Sequence, residues 1–361
     1  MKAATMRRQR LLPLLLLCVA MTALVLPRAA RSWMAPALPA SSSSTRSSTA
    51  SASTSLEPSA PLQTKRVLRR ALRDDSRQEY FLYIPSSGGQ GAPLFVTVHG
   101  ISRNAEEHAT LFSAYAERYG VVLVAPCFTE KQHDDYQRLG RTGRGQRADF
   151  VLDSILAEVT ELTGAAAAKI YLFGFSGGAQ FAHRYTMAHP ERIARAAIGA
   201  AGWYTFPDDQ RPYPYGIGPS PELPSLHFDP AEFLRVPIAV FVGAEDSTNE
   251  SFRRSDELDR QQGVTRFERA RHWVAAMRAA AAAHHLEPLV TYEEVAGIHH
   301  SFRQFMEEGQ LGDRVFGVFF GRPEAAKPRT GTGAAASDDR SGWRLLLPAA
   351  VMVCASPGGE H

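Results

Sequence analysis

The sequence predicts an α/β fold, with a doubly wound and mostly parallel β-sheet and helices on both of its faces. Two observations lead to this fold class. From residue 78 onward, strand-like segments alternate with segments that keep the spacing of an amphipathic helix, and this alternation is typical of parallel β-α-β units. The strand-like segment VVLVAP (121–126) is also a continuous apolar run, as expected for a strand that is buried on both faces.

The predicted elements follow one another in regular order. Strands are expected at EYFLYIP (79–85), PLFVTVHG (93–100), VVLVAP (121–126), KIYLFGF (169–175), ARAAIGAAG (194–202), PIAVFVGAED (237–246) and LVTYEEVAG (289–297). Helices are expected over 105–120, over 147–164, from 177 to 189, around 265–286 and from about 302. In the second of these helices Val151, Ile155 and Val159 recur at helical spacing, which predicts one apolar face.

A chain of 361 residues is long enough for one large α/β domain with tails. We place that domain at residues 78–321. It contains an insertion at 203–237, where eight prolines and seven aromatic residues argue against regular strands or helices. A Ser/Thr-rich linker is predicted at 41–77 and a low-complexity tail at 322–361.

Residues 1–40 have the composition of a secretory signal peptide. Basic residues precede the apolar run LLPLLLLCVAMTALVL (11–26), and a small-residue A-x-A site follows at 35–37. We therefore expect a secreted or extracytoplasmic protein with no stable membrane span after cleavage of this leader. Two alternatives stay open, an uncleaved N-terminal anchor and a bipartite plastid leader whose second half is the acid-free Ser/Thr-rich stretch.

The leader also explains the formal net charge of +3. Residues 1–56 carry seven basic and no acidic side chains, which leaves the rest of the chain at −4. A net negative domain argues against nucleic acid as a partner. Of the three cysteines only Cys127 lies in the predicted domain, so the sequence offers no internal disulfide framework.

The stretch GFSGG (174–178) is the first that indicates chemistry. Ser176 lies among Gly174, Gly177 and Gly178, after a predicted buried strand and before a predicted helix. A tight strand-to-helix turn would explain the glycines alone. A nucleophile elbow explains the serine as well, because glycines two residues before and after it relieve crowding in a sharp turn that exposes the hydroxyl group.

A serine nucleophile needs a base to take its proton and an acid to orient that base. Two later strands are followed by suitable residues. The segment PIAVFVGAED ends in Glu245 and Asp246, of which we prefer Asp246 because it lies one residue further past the strand. The last predicted strand is followed by His299 and His300. All four lie at the carboxyl ends of predicted strands, where the ligand sites of open α/β sheets are found.

The loop HGIS (99–102) after an early strand is a candidate for the oxyanion hole. We predict that the backbone N–H groups of Ile101 and Gly177 face the substrate carbonyl oxygen. The insertion offers Trp203, Tyr204 and Phe206 as candidate substrate-binding residues, since rigid aromatic side chains bring a large apolar area to a binding site. The alternative is that they pack on the surface of the domain itself.

The ordered motifs HGIS, GFSGG, GAED and GIHHSF together resemble the α/β-hydrolase superfamily, from residue 78 to about 320. With its YFLYIP strand, the chain is similar to the group of secreted polyhydroxybutyrate depolymerases and feruloyl esterases. This resemblance implies an α/β-hydrolase fold with Ser176 as nucleophile, His300 as base and Asp246 as the acid that orients it. It implies no cofactor and no metal.

These inferences predict a serine hydrolase that cleaves carboxylic esters through an acyl-enzyme on Ser176. The expected partner is a small-molecule or polymer ester. Two alternatives remain, a serine peptidase or amidase with the same triad and a catalytically silent binding protein with the hydrolase fold. The sequence makes no prediction of the oligomeric state.

Overall fold

A computed structural model describes residues 63–247 and 253–321 of the chain. In this part of the chain eight strands form one sheet. They are β1 (Val67–Ala71), β2 (Glu79–Tyr83), β3 (Pro93–Val98), β4 (Val122–Cys127), β5 (Ala166–Phe175), β6 (Ile193–Gly199), β7 (Ile238–Gly243) and β8 (Val290–Val295). Their order across the sheet is β1-β2-β4-β3-β5-β6-β7-β8.

The pairing of these strands confirms the predicted, mostly parallel sheet. Every neighbouring pair from β4–β3 to β7–β8 is parallel. At one edge of the sheet, the pairs β1–β2 and β2–β4 are antiparallel. All six residues of β7 are buried, and so are the first five of β4. The continuous apolar runs of the sequence therefore lie where both faces of the sheet are covered.

Helices cover the two faces of the sheet. They are α1 (Ala105–Tyr119), α2 (Ala148–Thr163), α3 (Gly177–Ala188), α4 (Pro230–Phe233), α5 (Asp256–Gln262), α6 (Arg266–Ala283), α7 (Phe302–Glu307) and α8 (Leu311–Phe320). One core layer contains buried side chains of α2, α3 and α6, and a second contains those of α1, α7 and α8. Two separate apolar layers are the packing expected of a doubly wound fold.

The first strand lies inside the range predicted as linker, so the folded domain begins before residue 78. The segment VLRRA (67–71) pairs antiparallel with β2 along its whole length. Its two consecutive arginines hide the strand in the sequence, because edge strands tolerate charged side chains that face solvent. The predicted leader 1–40, the linker up to residue 62 and the tail 322–361 lie outside the described residues.

The insertion at 203–237 contains little regular structure, as its prolines predict. Its only helix among the described residues is the short α4, and an isolated bridge joins Pro212 to Gly218. The sequence did not predict α5, which follows the insertion and β7. Within the ranges that the structure describes, no helix is both long and apolar enough to cross a membrane.

Parallel strands β3, β5, β7 and β8 all point their carboxyl ends to the same edge of the sheet. The loops that follow them begin at His99, Ser176, Ala244 and Ala296. The sheet thus brings four stretches that are far apart in the sequence to one edge.

Candidate active site

Ser176 lies in a sharp turn between β5 and α3. Its backbone has φ 54° and ψ −112°, a left-handed conformation that is costly for a residue with a side chain. The Ser176 N–H donates to the carbonyl of Gly199 at the end of β6 (2.8 Å), which holds the turn against the neighbouring strand. The side chain is partly exposed although its neighbours on both sides are buried.

Two glycines make this turn possible through close approach. A Cβ atom at Gly174 would lie 2.1 Å from the carbonyl oxygen of Gly178, and one at Gly178 would lie 2.0 Å from that of Val98. Both distances are far shorter than any van der Waals contact, and both involve backbone atoms. Any larger residue at either position would push α3 away from the sheet.

The structure brings Ser176, His300 and Asp246 together in one hydrogen-bonded chain. The imidazole Nδ1 of His300 lies 2.7 Å from Oδ2 of Asp246, and its Nε2 lies 2.9 Å from Oγ of Ser176. A carboxylate only accepts hydrogen bonds, so Nδ1 carries the proton and Nε2 accepts from the serine hydroxyl. The ring of Phe175 stacks on the imidazole with 5.3 Å between ring centroids, which restricts its rotation.

The neighbouring candidates point elsewhere. His299 is exposed, and its backbone N–H donates to the side chain of Gln304 (3.1 Å). Glu245 is also exposed, whereas Asp246 is only 1% exposed. The structure therefore connects Ser176 to His300 and Asp246, the preferred residue of each adjacent pair. It does not connect His299 or Glu245 to Ser176.

The second carboxylate oxygen of Asp246 contacts a residue that the sequence analysis did not single out. Arg266, the first residue of α6, donates from Nη1 to Oδ1 of Asp246 (2.8 Å). Its side chain is 2% exposed, so both charges lie inside the protein. The sequence does mark the start of this helix, because Thr265 and Glu268 form a capping box, but it does not indicate what the arginine contacts.

The predicted oxyanion loop lies directly over the turn. A Cβ atom at Gly177 would be 3.3 Å from the backbone nitrogen of Ile101, and one at Gly100 would be 3.4 Å from Cβ of Ser176. The backbone nitrogens of Ile101 and Gly177 therefore lie close together beside Ser176. The side chain of Ile101 is 51% exposed, which is unusual for an aliphatic residue and places it at the surface of the site.

A buried histidine holds this loop in place. Nε2 of His99 accepts from the Phe128 N–H (3.0 Å), so Nδ1 carries the proton and donates to the Gly100 carbonyl (2.7 Å). Burial lowers the pKa of His99 to about 4, and the ring is neutral near pH 7. The hydroxyl of Tyr136 donates to the His99 carbonyl (3.0 Å). Tyr136 lies 37 residues further along the chain, and no sequence motif indicates this contact.

Ser176 and His300 open onto a cleft of about 500 Å³. Ile101, Phe175 and Phe302 form its apolar part. Its charged part is an ion pair between Glu107 and Arg303, with 2.5 Å between Oε1 and Nη2. A cavity of this size with a few polar groups and apolar walls is typical of a small-molecule site.

The aromatic residues of the insertion do not line this cleft. Trp203 is 3% exposed and lies under the guanidinium of Arg184, 4.0 Å from the ring centroid. Tyr204 is fully buried and stacks on Trp273 (4.9 Å between centroids). Phe206 packs against the core of the domain. The predicted substrate-binding role is therefore not supported by this cleft. The apolar area of these side chains is used inside the domain, the alternative that the sequence had left open.

Comparison with known proteins supports the fold. A poly(3-hydroxybutyrate) depolymerase from Bordetella parapertussis has a TM-score of 0.59 and 24% identity, with 72% of this chain and 92% of that chain covered. Poly(aspartic acid) hydrolase-1 from Sphingomonas sp. KT-1 has a TM-score of 0.56 and 22% identity, with 65% and 92% covered. Together with the strand order, these likenesses show that the chain has the α/β-hydrolase fold.

One curated protein is similar in sequence. It is feruloyl esterase B from Talaromyces funiculosus, 23% identical over 120 residues, which are 32% of this chain and 34% of the esterase. The chain thus matches about a third of the length of this relative. No model of a known protein family matches the chain.

Proposed function

We propose that the protein is a serine hydrolase that cleaves carboxylic esters through a covalent acyl-enzyme on Ser176. The observation that carries this proposal is the hydrogen-bonded chain from Ser176 through His300 to Asp246, with distances of 2.9 and 2.7 Å. A serine hydroxyl is a weak nucleophile unless a base lies within hydrogen-bonding distance, and such a base is itself oriented by a third group. Here all three groups are in contact.

In the first half of the proposed reaction, Oγ of Ser176 attacks the ester carbonyl carbon while Nε2 of His300 takes the hydroxyl proton. The imidazolium that forms keeps its Nδ1–H on Asp246, which stabilises the new positive charge. The N–H groups of Ile101 and Gly177 donate to the negatively charged carbonyl oxygen. Collapse of the tetrahedral intermediate breaks the bond to the alcohol oxygen, and His300 returns the proton to the leaving alcohol.

In the second half, water takes the place of the alcohol. His300 removes a proton from the water molecule as it attacks the acyl carbon, and the same two N–H groups again stabilise the oxyanion. Breakdown of this second intermediate releases the carboxylic acid, and the proton returns to Oγ of Ser176. Each step uses only groups that lie at the carboxyl ends of β3, β5, β7 and β8.

The sequence similarity to a feruloyl esterase supports ester cleavage. Because that similarity covers a third of the chain, the geometry of the site carries the greater part of the argument. The cleft agrees with an ester substrate that has no net charge, since its two charged residues, Glu107 and Arg303, already pair with each other.

The direct test is labelling with a fluorophosphonate, which reacts with activated serines. We expect one adduct on Ser176 in the wild type, and none in Ser176→Ala. The same substitution should lower kcat for a p-nitrophenyl ester by ~10⁶-fold while the protein stays folded. An adduct on another residue, or a wild type that neither reacts nor hydrolyses esters, would overturn the proposal in favour of a silent binding protein.

The adjacent histidines provide a matched pair of variants. His300→Ala should abolish turnover, whereas His299→Ala should keep at least about a tenth of it, because its side chain is exposed and takes no part in the proposed proton transfer. The reverse ranking would move the base by one residue. Aminoacyl anilides assayed beside the esters distinguish the two hydrolase alternatives, since a peptidase or amidase would prefer the anilides.

A further inference from the structure

We infer that Arg266 is a positioning residue, which holds the carboxylate of Asp246 in the orientation that His300 requires. The inference rests on the proposed function, since it concerns the same triad. The two oxygens of Asp246 contact different partners: Oδ2 lies 2.7 Å from Nδ1 of His300, and Oδ1 lies 2.8 Å from Nη1 of Arg266. With both oxygens held, the carboxylate cannot rotate without breaking one of these contacts.

Stability alone does not account for an arginine at this position. Arg266 is 2% exposed and Asp246 is 1% exposed, and removal of two charges from water costs free energy that their attraction often does not recover. Arg266 is also the first residue of α6. The positive end of the helix dipole lies there and disfavours a cation. An apolar residue would avoid both costs but could not donate to the carboxylate of Asp246.

The positions of the two residues in the fold agree with this role. Asp246 lies in the loop after β7, outside any helix or strand, and its backbone N–H donates to the Gly243 carbonyl (3.1 Å). Arg266 is delivered by α6, which packs against β7 and β8 and whose first turn is fixed by the Thr265–Glu268 capping box. A planar guanidinium group also imposes a direction on a carboxylate that the flexible ammonium of a lysine does not impose. The helix therefore supplies the carboxylate of Asp246 with a second partner besides His300.

The test compares Arg266→Met and Arg266→Lys with the wild type. For Arg266→Met we expect kcat to fall by ~10- to 100-fold with KM changed less than about threefold, as for a group that orients the triad without touching substrate. Arg266→Lys should restore part of kcat, because it keeps the charge but not the planar geometry. Arg271→Met is the control, since Arg271 is exposed on the same helix and pairs with Glu294.

A readout that does not depend on catalysis separates this inference from the proposed function. The proton on Nδ1 of His300 can be followed by NMR and assigned by its absence in His300→Ala. We expect this signal in the wild type and in Arg271→Met, and expect it to be lost or broadened in Arg266→Met. If the signal behaves so while the wild type hydrolyses no ester, the positioning role stands and the proposed function fails.

Three results would overturn the positioning role. One is a folded Arg266→Met protein with wild-type kcat and a wild-type Nδ1 signal. Another is a loss of kcat with no change in the Nδ1 signal. The third is failure of both Arg266 variants to fold while Arg271→Met folds normally, which would make Arg266 a residue of stability alone.

Discussion

Three of the fully buried histidines, His99, His108 and His183, are kept neutral by burial. Burial lowers the pKa of His99 to about 4 and lowers the pKa values of His108 and His183 well below their usual range. His183 accepts from the Thr205 N–H (3.0 Å), so its other nitrogen donates to the Ala179 carbonyl (2.9 Å). His183 thereby joins α3, the helix that follows Ser176, to the segment that contains Thr205. These rings act as fixed donors and acceptors rather than as bases.

The low pKa of His99 predicts a specific dependence of stability on pH. The folded protein releases the proton near pH 4, whereas the unfolded chain binds it below about 6.5. Between these values the unfolded state binds more protons, so stability falls as the pH falls. We expect His99 alone to account for about 2 kcal/mol of lost unfolding free energy between pH 8 and pH 5.

Urea unfolding of wild type and His99→Gln at these two pH values measures this contribution. The variant should be less stable at pH 8, because Gly100 and Phe128 lose their partner, but should lose about 2 kcal/mol less on acidification. His299→Gln is the control and should lose as much stability as wild type, since His299 is exposed. Equal slopes for wild type and His99→Gln would contradict a neutral, buried His99.

Among the elements, the insertion at 203–237 has a different role from the one its composition suggests. Its first residues contact three helices, α3 through Arg184, α5 through Gln262 and α6 through Trp273. The Tyr204 N–H and carbonyl both bond to the side chain of Gln262 (2.8 Å each), and the Trp273 indole donates to the Thr205 carbonyl (2.7 Å). The segment is long and rich in proline, yet its first residues are among the most buried of the domain.

Trp203→Ala distinguishes the two roles of this segment. The loss of a buried tryptophan should lower the unfolding free energy by ~3 kcal/mol or more. It should also reduce kcat/KM for acetate and for aryl esters to the same degree, because Trp203 does not line the cleft. Phe150→Ala, at an aromatic residue that is 54% exposed on α2, should change stability little. An unchanged melting temperature with a loss confined to aryl esters would restore the substrate-binding interpretation.

For the molecule as a whole, we propose export through the leader, followed by its removal. The first strand begins at Val67, so any cut before about residue 60 leaves all eight strands intact. The composition of residues 1–40 predicts a mature N-terminus between about residues 30 and 41. N-terminal sequencing of the protein from its native source is the measurement.

The outcomes of this sequencing separate the three destinations. A start at Met1 would favour the uncleaved anchor, and a start near residue 60 would favour the bipartite plastid leader. In either processed form, ester hydrolysis should match that of a chain beginning at residue 60, because the described residues that line the cleft all lie at Gly100 or later.

Local patterns were sufficient to predict the sheet, the turn at Ser176 and the order of its partners. Buried strands are visible in the sequence as continuous apolar runs. The glycines of GFSGG are needed because the backbone approaches Gly174 and Gly178 too closely for any side chain. Each of these features depends on residues that are close together in the sequence. The edge strand β1 was not predicted, because the solvent side of an edge strand needs no apolar residues that would mark it in the sequence.

Contacts between distant segments depended on the packing of whole elements. Asp246 meets Arg266 because α6 lies against β7, and Trp203 is buried against the guanidinium of Arg184 on α3. Side chains that are distant in the sequence meet only when several elements are placed at once, and no short pattern specifies that placement. The sequence thus determined which residues stand at the carboxyl edge of the sheet. The tertiary structure decided which of them touch, because contact depends on the angle and distance at which each helix packs.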